Sequence, residues 1–168
     1  MQLPDADALI ADLARAIGPG LRPDTALVGI LTGGAWIAER LNAAFGGRLP
    51  MGTLDISFYR DDYEEIGLHK AVKPSSIGFD VAGRDIVLVD DVLYTGRTVR
   101  GAMNELFDYG RPARIRLAVL VDRGGRELPV AADFAAATLR VPDDMNLRLE
   151  RAADGKLGLR LHPRNVQG

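Results

Sequence analysis

Residues 86–98 read IVLVDDVLYTGRT: four apolar residues, two acids, then a small, hydroxyl-rich turn that opens a helical pattern. An unbroken, β-branched apolar run reads as a strand covered on both faces, the condition of a parallel sheet flanked by helices. The pattern that follows puts Val99, Ala102, Met103, Leu106 and Phe107 on one helical face and stops before Gly110. The same order occurs earlier. Residues 26–31 (ALVGIL) lead into Thr32-Gly33-Gly34, and Trp36, Ile37, Leu41 and Phe45 then recur at helical spacing up to Gly46-Gly47.

The remaining segments fit around these two units. Residues 5–17 place Leu9, Ile10, Leu13 and Ile17 on one face of an amphipathic helix that Gly18-Pro19-Gly20 ends. Residues 53–59 alternate in period two, 115–121 and 134–139 read as further strands, and 147–161 read as a hairpin with Asp154-Gly155 near its tip. Positions 60–84 are long and polar, and predict a mobile loop or hairpin closing over a site. The expected fold is α/β, an open, mostly parallel twisted sheet flanked by helices, with a C-terminal β-hairpin, all within a single domain over 1–168.

Composition enters mainly by exclusion. The 168 residues suit one core, and no apolar run approaches the roughly 18 residues that span a bilayer, so no membrane partner is expected. There is no cysteine, hence no disulfide, thiolate metal site or thiol nucleophile. Residues 1–17 carry acids and lack a basic stretch before an apolar run, so no secretory leader is expected and the cytoplasm is the expected compartment. A net charge of −2 argues against a protein occupied mainly with nucleic-acid phosphates. Its cations are nearly all arginine, Lys70, Lys73 and Lys156 being the lysines, and arginine suits bidentate contacts to anions.

The chemistry concentrates in 86–98. Carboxylates at a strand end can accept hydrogen bonds from sugar hydroxyls or hold a divalent cation. A helix N-terminus beginning at Thr95-Gly96-Arg97-Thr98 offers backbone amides and dipole to a phosphate, with Gly96 permitting close approach. Together they read as a ribose-phosphate cradle. A phospho-acceptor receiver domain also starts from an apolar strand and paired acids, but its acids stand near the N-terminus and a lysine follows a later strand. Here the pair comes after half the chain, and the one lysine beyond it is Lys156. Asp-x-Asp-x-Thr phosphatases fail on spacing, and neither G-x-x-x-x-G-K-[ST] nor G-x-G-x-x-G occurs.

The 86–98 string resembles the signature of the type I phosphoribosyltransferases. Three flanking strings, GTLDISFYRDD at 52–62, YTGRTVR at 94–100 and LVDRGGRELP at 120–129, are similar to the branch whose members regulate pyrimidine operons and carry uracil phosphoribosyltransferase activity. The resemblance implies transfer of phosphoribosyl from phosphoribosyl pyrophosphate to uracil, giving UMP and pyrophosphate. It implies Mg2+ held mainly through the donor, with no metal ligands from the protein alone. Asp90 and Asp91 would bind the ribose hydroxyls and serve catalysis, Thr95, Gly96, Arg97 and Thr98 would carry the 5′-phosphate, and Val92, Leu93 and Tyr94 would complete the ribose and 5′-phosphate segment between them. Thr32, Gly33 and Gly34 would form the pyrophosphate loop, and Val121, Asp122 and Arg123 would help hold the base. The branch often has Thr-Arg-Gly where this chain has Thr32-Gly33-Gly34, so a cation at the pyrophosphate is missing here.

Such a reaction needs positioning and charge stabilisation of a leaving pyrophosphate rather than a covalent nucleophile. Arg60 and Lys70, with Lys73, are the cations in or beside the 60–84 loop that would serve it, while His69 reads as exposed. Trp36, Phe45, Phe58 and Phe134 read as core. Arg111, Arg114, Arg116, Arg148, Arg151, Arg160 and Arg164 are either solvated surface or a face for a leader mRNA, the regulatory partner that the resemblance implies. A homodimer or higher homo-oligomer is the expected assembly. Two alternatives stay open: a UMP-sensing RNA-binding attenuator with little or no catalysis, and an enzyme for hypoxanthine, guanine or orotate.

Overall fold

The computed structural model describes residues 1–57 and 75–165. The first helix, α1 (Ala6–Ile17), starts where the carboxylate of Asp5 accepts the amide of Ala8 at 2.8 Å. A 3-10 turn, Gly18–Gly20, leads to strand β1 (Thr25–Ile30), helix α2 (Gly33–Ala44) and strand β2 (Met51–Leu54). There follow β3 (Ser76–Ile77), β4 (Asp85–Leu93), helix α3 (Arg97–Tyr109), β5 (Arg114–Asp122) and β6 (Phe134–Thr138). Strands β7 (Met145–Arg151) and β8 (Leu157–Pro163) form a separate antiparallel hairpin.

The main sheet has the order β3-β2-β1-β4-β5-β6, parallel throughout except for the short edge strand β3. Chain progress runs outward to β2 from one side of β1 and outward to β5 and β6 from β4. The two central strands, β1 and β4, therefore flank a topological switch point, and their C-terminal ends open a crevice of the kind that binds ligands in open α/β sheets.

Period-two alternation sorts the strand residues between two cores. Leu27, Val87, Val89, Ala118 and Leu120 pack with α1, α2 and the hairpin leucines Leu147, Leu149, Leu157 and Leu159. Ala26, Val28, Ile30, Ile86, Leu88, Leu117 and Val119 pack with α3 through Val99, Ala102 and Leu106. Each fully buried leucine contributes about 1.5–3 kcal/mol, so the hairpin is held by its apolar face. Trp36, Phe45 and Phe134 are half-buried against the first core.

Several expectations are corrected. The strand predicted over 53–59 ends at Leu54, because the Asp55 carboxylate turns back to accept the Ser57 amide at 3.0 Å and its hydroxyl at 2.5 Å. Leu54 and Ile56 are nonetheless both buried, so the alternation marked burial correctly. Strand β4 runs past Val89 to Leu93, since its pairing with β5 continues through Val92↔Val121 and Leu93↔Asp122. Phe107 is 55% exposed: the buried face of α3 centres on Val99, Ala102 and Leu106, and Phe107, 100° round from Leu106, falls at its outer edge. Of the predicted loop over 60–84, positions 60–74 lie outside the described residues, as do Phe58, Arg60, His69, Lys70 and Lys73. Within the described part β3 pairs with β2. Among the described residues no helix is long and apolar enough to cross a membrane.

At the far end of the sheet, Asp85 opens β4 buried at 1% exposure. It accepts from Thr25 Oγ1 at 2.7 Å, Arg114 Nε at 2.8 Å and Arg116 Nη2 at 2.8 Å. Burial pushes this carboxyl up, but the hydrogen bonds from Arg114 and Thr25 and the two guanidinium charges outweigh it and hold it below the usual carboxylate range. Arg114 and Arg116, candidates for an RNA face on sequence, are therefore engaged in fixing the start of the sheet.

Candidate active site

The crevice is built from the turns that follow β1 and β4. After Ile30, a cis peptide joins Leu31 to Thr32, and α2 begins at Gly33. A Cβ on Gly33 would stand 2.7 Å from Asp91 Oδ2, and one on Gly34 would stand 2.3 Å from the Val89 carbonyl oxygen. Glycine at both positions lets the Thr32-Gly33-Gly34 turn lie directly on the acid pair.

Asp90 is buried at 3% exposure and Asp91 is half-buried. Each carboxylate accepts the amide of the residue after it, Asp91 N to Asp90 Oδ1 at 2.9 Å and Val92 N to Asp91 Oδ1 at 2.8 Å. The phase of the strand reverses across this pair: Val89 lies in the first core and Leu88 in the second, whereas Val92 packs on the first and Leu93 in the second. Here amides donate to side chains, and the regular alternation is interrupted where the strand meets the crevice.

Tyr94, Thr95 and Gly96 form the turn into α3. Gly96 has φ +93°, and a Cβ there would stand 2.4 Å from Val130 Cγ2, so a larger residue is opposed by both backbone and packing. Thr95 is buried and its hydroxyl accepts the Arg97 amide at 3.3 Å. Thr98 is half-buried in the first turn of α3, where the helix dipole favours an anion, and Arg97 is exposed beside it. The carbonyls of Leu93, Tyr94 and Thr95 are all taken by the 123–128 segment: Arg123 N at 3.0 Å, Arg126 Nη1 at 2.7 Å, and the amides of Glu127 at 2.9 Å and Leu128 at 3.1 Å.

The end of β5 forms the adjoining wall. Val121 is buried. The Asp122 carboxylate accepts from Gly124 N at 2.9 Å and from Arg126 Nη2 at 2.9 and 2.7 Å. Burial raises its pKa, and the bonds from Arg126 and Gly124 more than reverse that, leaving it below the usual range. Arg123 donates to the carbonyls of Met145 at 3.0 Å and Pro142 at 3.3 Å, with its guanidinium 3.9 Å from the centre of the Tyr94 ring. Burial lowers its pKa, Tyr94 opposes and Arg164 adds to the lowering. Arg164, at the end of the hairpin, lies 5.1 Å from the same ring.

The sequence-predicted turns at Thr32–Gly34, Asp90–Thr98 and Val121–Arg123 thus come together at the ends of β1, β4 and β5. Arg60 and Lys70 lie outside the described residues. Sequence reasoning did not single out Arg126, which bridges two of these walls; an arginine in a loop has no periodicity to mark it. Among the described residues no three His, Cys, Asp or Glu side chains cluster as a metal site.

Residues 3–147 match the family model for the phosphoribosyl transferase domain. The chain is 46% identical over 153 residues to the bifunctional protein PyrR of Pseudomonas syringae, covering 89% of this chain and 90% of the relative. It is 49% identical over 149 residues to the protein of the same name from Nitrosococcus oceani, covering 85% and 84%. In fold it is similar to the purine phosphoribosyltransferase of Pyrococcus horikoshii, with TM-score 0.60 and 26% identity over 79% of this chain and 81% of that one. Motif, crevice and relatives agree, and the chain belongs to the phosphoribosyltransferase family, in its PyrR branch.

Proposed function

We propose that this chain transfers the phosphoribosyl group of phosphoribosyl pyrophosphate to N1 of uracil, giving UMP and pyrophosphate. The observation that carries the reading is the meeting of Thr32-Gly33-Gly34 with the acid pair, where a Cβ on Gly33 would stand 2.7 Å from Asp91 Oδ2. The acids would hold the ribose hydroxyls, the Tyr94–Thr98 turn the 5′-phosphate, the glycine turn the pyrophosphate, and the end of β5 the base. As the C1′–oxygen bond breaks, positive charge grows on the ribose and negative charge on the leaving group. The residues then act by orientation and electrostatics. Mg2+, bound mainly through the donor's oxygens with the acid pair beside it, would neutralise the leaving pyrophosphate. Arg60 and Lys70 are proposed as further cations for it, on sequence alone. A cytoplasmic homodimer or higher homo-oligomer belongs to the same reading.

The test is UMP formation from uracil, donor and magnesium, with hypoxanthine, guanine and orotate as competitors. Preference for another base would overturn uracil while leaving phosphoribosyl transfer intact. The relatives' name, bifunctional, favours a second activity: UMP-dependent binding of pyrimidine-operon leader RNA. It is supported by the exposed hairpin face where Arg148 and Arg160 stand directly opposite each other, since paired like charges favour an anionic partner. A gel shift at moderate salt that shows no UMP-dependent complex would remove this second activity.

A further inference from the structure

One guanidinium spans the crevice wall. Arg126 donates from Nη2 to both Asp122 oxygens, from Nη1 to the Tyr94 carbonyl at 2.7 Å, and from Nε to the Val130 carbonyl at 3.0 Å. These acceptors belong to three different pieces. Asp122 ends β5, Tyr94 opens the turn into α3, and Val130 occupies the space that a Cβ on Gly96 would need. The side chain is 24% exposed, so its planar donor set is largely spent within the protein, an arrangement that lysine's single ammonium cannot copy.

We infer that Arg126 is a positioning residue that fixes the distance between the base wall and the 5′-phosphate turn. The inference rests on the proposed reaction, in which one wall holds the base and the other the phosphoribosyl group. N1 of the base and C1′ of the donor must then meet across a gap set by the spacing of those walls. Backbone bonds already join Arg123 to Leu93 and the 127–128 amides to Thr95. The β4–β5 ladder also pairs Leu93 with Asp122, and Val130 N donates to the Leu128 carbonyl at 2.9 Å. None of these bonds takes the Tyr94 carbonyl, and Arg126 ties it directly to the Asp122 carboxylate and the Val130 carbonyl. Asp122 contributes to this frame through its carboxylate, so its side chain acts on Arg126 and the Gly124 amide.

The experiment compares wild type with Arg126→Lys and Arg126→Met, measuring kcat, both KM values, melting temperature and binding of UMP, uracil and ribose 5-phosphate separately. A misplacement near 1 Å costs about a hundredfold in rate, so kcat should fall by about that factor while each KM changes little. Affinity for UMP, which must touch both walls at once, should fall about tenfold as the advantage of linked binding is lost, with uracil and ribose 5-phosphate bound nearly as before. Methylguanidine should restore part of the rate to Arg126→Ala. Variants with wild-type kcat, or with all three ligands weakened equally in step with the melting temperature, overturn the inference. A wild type that makes no UMP instead sinks the functional reading, and the inference with it.

Discussion

Strand β4 carries aspartate near both of its ends, and the two ends are built on opposite plans. Asp85, at the start, is surrounded by Thr25, Arg114 and Arg116, side chains drawn from β1 and β5. Asp90 and Asp91, near the finish, accept the amides of their own successors. The first end is closed by fixed protein cations, and the second faces a turn of two glycines. Identical residue types on one strand thus divide between holding the sheet and facing the crevice: the neighbouring strands claim the first, and the turn that follows marks the second.

The sharpest way to break this comparison is to neutralise each end. Asp90→Asn/Asp91→Asn should lower kcat/KM for UMP formation about a thousandfold, on the scale of losing a preorganised electrostatic contact, with little change in melting temperature. Asp85→Ala should do the reverse: stability falls by at least about 3 kcal/mol, because the largely buried Arg116 loses its partner, while activity per folded molecule stays near wild type. Denaturant unfolding beside a steady-state assay reads both. If the Asp85 variant loses rate instead, the division of roles is wrong.

The same contrast has a pH signature. The folded Asp85 and Asp122 carboxyls lie below their usual range, so each contributes stability that is present above the unfolded pKa, about 4, and is lost as pH falls through the folded value. Acid titration of unfolding free energy should therefore fall more steeply below about pH 4 in wild type than in Asp85→Asn.

How far this division was legible beforehand depends on the range of the interaction. The apolar runs at β1, β4 and β5 and the two turns after them announce themselves because period and turn chemistry are local. The acid pair was readable because strand, acids and hydroxyl turn are contiguous at 86–98. The structural role of Arg114 and Arg116 was not, since their partner stands 29 and 31 residues away. Arg126 escaped for a related reason: its bond to Tyr94 spans 32 residues. The end of β2 turned on a side chain folding back at Asp55, which an alternating pattern cannot reveal.

A smaller effect probes the backbone of the crevice end. Gly96→Ala places a Cβ 2.4 Å from Val130 Cγ2 at φ +93°, and should cost about 1–3 kcal/mol by overpacking. Because that contact lies against the phosphate turn, binding of ribose 5-phosphate should weaken as well. Calorimetric titration that finds stability lost and binding unchanged would detach Gly96 from the site.

The smallest expected effect belongs to a charge pair that links the phosphate turn to the 123–130 loop at the surface, Arg97 and Glu127 at 3.8 Å, each about half exposed. Solvent and salt screen such a pair, so Glu127→Gln should change stability by less than about 0.5 kcal/mol. Its effect on donor binding should be slightly favourable, since Arg97 is released toward an incoming anion and the carboxylate beside it is gone. The gain should shrink as salt rises. A Glu127→Gln variant as destabilised as Asp85→Ala would mean that this exposed pair is as strong as the buried one at Asp85, and the contrast between the two ends of β4 would fail.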